Sequence, residues 1–65
     1  MLSISDILIG NSEMDSFEEL IAYVKSQARQ GEMFIQMDVR PPFADTPEDW
    51  EQQVEAAFTS AGNVE

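Results

Sequence analysis

Sixty-five residues hold thirteen Asp and Glu against three Lys and Arg, a formal net charge of −10, with neither His nor Cys. A chain of this charge repels phosphate and anionic lipid, which argues against direct nucleic-acid binding and against a membrane surface. Without Cys there is no disulfide, and without His a structural zinc site would have to rest on carboxylates alone, which is not how such sites are built. A core this small is marginal, so the expected sources of further stability are dimerisation or docking onto a partner.

The N-terminal segment, Leu2 to Ile9, is apolar but interrupted by Asp6 and has no preceding cation, unlike a secretory leader. It reads either as a strand, from the alternation of Leu2 and Ile4 with Ser3 and Ser5, or as a short helix beginning after Ser5. Gly10-Asn11-Ser12 ends it. A helix is predicted from about Ser16 to Gln30. Ser16 and Glu19 form a capping box, and Phe17, Leu20, Ile21, Val24 and Ala28 recur at the spacing of one buried stripe. Acids at its start and Lys25 and Arg29 near its end suit the helix dipole, and Gly31 suits the left-handed residue that ends a helix.

Glu32 to Arg40 predicts a half-buried strand, with Met33, Ile35, Met37 and Val39 on one side and Phe34, Gln36, Asp38 and Arg40 on the other. Pro41-Pro42 stops it. If Leu2–Ile9 pairs with it, the helical crossover makes the pair parallel. A second helix is predicted from Pro47 to about Ser60. Thr46 is read as its N-cap, Asp49 as completing the box, and Trp50, Val54, Ala57, Phe58 and Ala61 as its buried stripe. The expected fold is therefore α+β, two amphipathic helices packed on a minimal two-stranded sheet in the order β-α-β-α, with dimerisation as one way to complete it. Residues 1–62 form one acidic domain, with 63–65 as a frayed tail.

Catalysis finds little support. His and Cys are lacking for acid–base or nucleophilic work, the three Gly are isolated at 10, 31 and 62 and make no phosphate loop, and so small a chain cannot readily wall a cleft for paired carboxylates. No enzyme activity and no cofactor are expected. Asn11, Glu13 and Asp15 are spaced like the opening of a calcium loop, but Ser16 and Ala22 stand where that loop needs Gly and Glu. Helix capping explains the run better.

The charge of the C-terminal part is the feature that points to function. After Arg40 no cation occurs, so residues 41–65 carry six acids and no base. Gln52, Glu55 and Thr59 follow Glu48, Glu51 and Glu55 by four residues, where a helix built for stability would place Lys or Arg. One explanation is that the charge only maintains solubility. The other is a docking face for a basic protein partner, in which Asp45, Glu48, Asp49, Glu51 and Glu55 steer and position while Phe43 and Phe34 anchor. Carboxylates one helical turn apart lie about 5–6 Å from one another, so such a face can stand in for a phosphate strand, as in the small acidic DNA-mimic inhibitors carried by phages. The expected function is thus a cytoplasmic, phage or bacterial protein-binding module of inhibitor or regulator type. The competing expectation is an assembly protein that forms a homodimer through its strand and the face carrying Met33 and Met37.

Overall fold

The structure, a computed structural model, describes residues 2–62. The elements run β1 (Leu2–Ser3), α1 (Ile4–Gly10), α2 (Phe17–Arg29), β2 (Ile35–Gln36) and α3 (Trp50–Gly62). The described residues thus form a small mixed helix–strand protein, with three helices where the sequence led us to expect two.

Leu2–Ile9 combines the two alternatives in altered form: the strand is confined to Leu2–Ser3, and the helix begins at Ile4 and not after Ser5. Ser3 makes the switch. Its backbone is extended, and its Oγ accepts the N–H of Asp6 at 3.2 Å, filling one of the donor positions that a helix start leaves open. Ile4 and Ile7 then fall on one face and are buried, with Leu8 packed partly against the same core. At the other end the Asn11 side-chain amide donates to the Ile7 carbonyl at 2.8 Å. This contact gives Asn11 a structural role at the end of α1; among the described residues no group of three or more His, Cys, Asp or Glu is placed to hold a metal ion.

α2 follows the sequence closely. Ser16 Oγ accepts the Glu19 N–H at 3.1 Å, and Phe17, Leu20, Val24 and Ala28 are buried. The helix closes with a Schellman motif, the Gly31 N–H donating to the Ala28 carbonyl and the Glu32 N–H to the Gln27 carbonyl, both at 3.2 Å. Gly31 has φ +107, a conformation that side-chain-bearing residues rarely adopt.

The two strands form a parallel pair with Leu2 opposite Ile35 and Ser3 opposite Gln36, and the Leu2 N–H donates to the Phe34 carbonyl at 3.1 Å. The predicted nine-residue strand shrinks to two residues. Its partner is only two residues long, so no backbone is available to extend the ladder. The predicted buried side of this segment is correspondingly incomplete: Ile35 and Met37 pack partly against the core, whereas Met33 and Val39 are exposed.

α3 also begins later than expected. Residues 47–49 form turns, the Trp50 N–H reaching the Pro47 carbonyl at 3.3 Å, and the helix starts at Trp50. Thr46 is not its cap. The Thr46 N–H donates to the Phe43 carbonyl and the Thr46 carbonyl accepts Arg40 Nη2 at 3.2 Å, which fixes the residue in the preceding loop. Its Oγ1 is buried without a hydrogen-bond partner among the described residues. Asp49 completes no capping box; its Oδ1 accepts Gln53 Nε2 at 3.0 Å. Trp50, Val54, Ala57 and Ala61 are buried as expected, while Phe58 is only partly covered.

α2 packs chiefly against α3. Between them and α1 lies one core of Leu2, Ile4, Ile7, Phe17, Leu20, Val24, Trp50 and Val54. The radius of gyration is 10.9 Å, close to the ~11 Å expected of a folded chain of this length. The expected tail at 63–65 lies outside the described residues, and no described helix is long and apolar enough to cross a membrane.

Candidate functional site

Two carboxylates of the connector between β2 and α3 reach back across the molecule to helix starts. Asp38 receives the Ser5 N–H on Oδ1 at 3.1 Å and the Ser5 hydroxyl on Oδ2 at 2.5 Å, in the first turn of α1. Asp45 receives the Phe17 N–H on Oδ1 at 2.8 Å, at the first residue of α2. Each helix therefore begins with a local Ser cap and a distant Asp cap, a pairing suited to the partial positive charge of a helix N-terminus. The Ser5 hydroxyl bond holds the Asp38 carboxyl below its ordinary value, outweighing lost hydration, with the Ser5 N–H assisting. Glu19 is shifted the other way. The Asp15 side chain raises it, accepting a hydrogen bond from the protonated Glu19 carboxyl, followed by lost hydration and the Asp15 charge.

The seven residues singled out in the sequence fall in different settings. Asp45 is exposed, but one of its oxygens is used within the fold, on α2. Phe43 is half-buried and packs on the core. Asp49 is occupied with Gln53. Successive residues turn about 100° around a helix, so Glu51 and Glu55 share one flank of α3, beside the buried stripe, and Asp49 lies toward the opposite flank with Gln53. Glu48 is exposed in the turn just before the helix.

Phe34 and Glu55 are brought together. The backbone leaving α2, residues 32–35, runs past the C-terminal half of α3 and leaves an open groove of about 450 Å³. Met33, Phe34 and Ile35 form one wall, and Glu55, Phe58 and Thr59 the other. Met33 is 78% exposed and Phe34 67%, so the groove carries uncovered apolar surface. Glu32, at the start of the first wall, and Glu55, on the second, add a carboxylate to each side. Sequence reasoning missed Glu32 and Phe58 as members of this site and named Met33 only for a self-association face. It assigned Phe58 to the buried stripe of its helix, and no local pattern shows that residues 32–35 run past α3.

The class of chain so defined is a small acidic protein of mixed helices and strands, with an open groove of mixed polar and apolar lining between residues 32–35 and α3. Compared with protein-family models, curated proteins and solved structures, it matches none.

Proposed function

We propose that the chain is a protein-binding module of inhibitor or regulator type that docks onto a basic surface of a partner protein through the flank of α3 bearing Glu51 and Glu55. The observation that carries this reading is the placement of these two carboxylates one turn apart on the same exposed flank, in a region where no cation follows Arg40. A like-charge pair at this spacing costs an isolated helix a few tenths of a kcal/mol; Glu51, in the first turn of α3, gains from the helix dipole, but Glu55, a turn further on, does not. For a cationic partner the same pair speeds encounter and sets orientation. Glu48 extends the charge toward the helix start, and Phe34 lies close to Glu55 across the groove. Proteins that handle nucleic acid carry basic grooves of the complementary sign, and mimicry of a phosphate strand is the particular form of docking that this flank would support. Asp45 and Asp49 contribute charge at a distance, since each already accepts a hydrogen bond within the fold.

The test is capture of partners from a host lysate at low and high salt, with the double variant Glu51→Lys/Glu55→Lys in parallel. Both positions are exposed, so the variant should fold. Capture should fall steeply with salt and be lost in the variant. Capture that survives both changes refutes the acidic flank as the contact.

A second reading rests on a separate observation, the exposure of Met33, Phe34 and Val39 along β2 and its flanking residues. In it, two copies associate through this segment. It requires a mass that rises with concentration, and a chain that sediments as a monomer at millimolar concentration removes it.

A further inference from the structure

We infer that the groove between residues 32–35 and α3 receives an apolar side chain borne on a lysine- or arginine-rich segment of the partner. This inference rests on the docking function proposed above and specifies the chemistry of what docks. The volume, about 450 Å³, falls within the roughly 300–1,000 Å³ typical of ligand sites, but the groove is open, which suits a peptide segment better than an enclosed small molecule. Its walls present Met33, Phe34 and Phe58, an adaptable thioether beside two aromatic rings, the kind of surface that accommodates an inserted side chain. Glu32 and Glu55 set a carboxylate on either side of that apolar strip.

Charge selects among the candidate occupants. A second copy of the chain would bring another net charge of −10 and lay its own Glu32 and Glu55 near the first pair. An apolar residue flanked by cations meets both demands at once, covering Phe34 and Met33 while neutralising the carboxylates at the sides. Cations alone would leave the apolar walls in water, and an apolar segment alone would desolvate the carboxylates without a partner.

The experiment compares two synthetic peptides of equal length and equal positive charge, one with a central Leu-Phe pair and the other with Ser at those two positions, titrated into the full chain at moderate salt. The Leu-Phe peptide should bind about tenfold more tightly, as expected for partial burial of two apolar side chains. Phe34→Ala should reduce that preference to about twofold or less while leaving the Ser peptide unaffected; Phe34 is mostly exposed, so the variant should retain the fold. Glu32→Gln/Glu55→Gln should weaken both peptides to a similar degree. If the two peptides bind equally and both respond to salt, the groove assignment is overturned while the acidic flank stands. If neither binds even at low salt, the docking function is overturned with it. A concentration-dependent dimer abolished by Phe34→Ala would overturn the assignment in favour of a second copy.

Discussion

Asp45 is the residue whose replacement best separates a role in folding from a role in docking. Its Oδ1 accepts the Phe17 N–H at 2.8 Å across 28 residues of sequence. Losing an N-terminal cap costs about 0.5–2 kcal/mol, typically ~1. For a chain of this length the whole stability is expected to be about 3–10 kcal/mol, so Asp45→Ala removes a sizeable fraction. One kcal/mol corresponds to a fall in Tm of about 4–8 °C in a domain of this size. Asp45→Asn keeps an oxygen acceptor but loses the negative charge near the helix start, worth about 0.3–1 kcal/mol, and should fall between wild type and Asp45→Ala. Glu55→Ala is the matched control, because it relieves the same one unit of charge repulsion without removing a cap. The assay is thermal and urea unfolding of all four proteins at one concentration and ionic strength. If Asp45→Ala melts within about 1 °C of Glu55→Ala, equivalent to only a few tenths of a kcal/mol, the long-range cap contributes nothing and the reasoning fails. If the cap holds, partner capture by Asp45→Asn should stay close to that of wild type below its melting range.

Gly31→Ala should destabilise by about 1–2 kcal/mol through the backbone alone, because φ is +107 and an added Cβ meets nothing within 4 Å; Gly10→Ala, equally uncrowded and without a positive φ, should be neutral or mildly stabilising by urea unfolding. Asp38 titrates below its ordinary 3.8 in the fold, so its contribution is fully present above the unfolded value and is lost as pH falls through the lower, folded one. The stability difference between wild type and Asp38→Asn, from urea midpoints across a pH series, should therefore be flat above about pH 5 and shrink progressively below pH 3.8. A difference that grows on acidification would contradict the Ser5–Asp38 contact.

The helices were legible in the sequence to the extent that their signals were local. In α2 the stripe, the Ser16 cap and Gly31 all lie within the element they define, and each has the expected role. The start of α1 carried the same kind of signal, since Ser3 precedes Asp6 by three residues and Ile4 and Ile7 share a face, but the alternation of Leu2 and Ile4 competed with it over too few residues to decide. The length of β2 could not be read from its own alternation, because the extent of a ladder depends on the partner, and β1 offers only two residues. Thr46-Pro47 looked like a helix start because that pair often is one; here the loop bonds of Thr46 prevailed. At the site, exposure of the acids followed from their spacing against Trp50 and Val54. The use of Asp45 on α2 and the placing of Phe34 and Glu55 along one groove depend on tertiary packing, for which the local pattern carries no signal.

The connector that supplies Asp38 and Asp45 is anchored at two points rather than hung freely between strand and helix. Surface loops ordinarily tolerate insertions and deletions, and Pro42 and Ala44 are exposed enough to suggest such tolerance here. A residue gained or lost between the anchors would nevertheless pull one carboxylate out of reach of its helix. Among descendants of this chain the exposed positions of the stretch can drift in identity while its length stays fixed, and a graft of foreign sequence is better placed in the turn at Ser12 and Glu13, which carries no such double anchor.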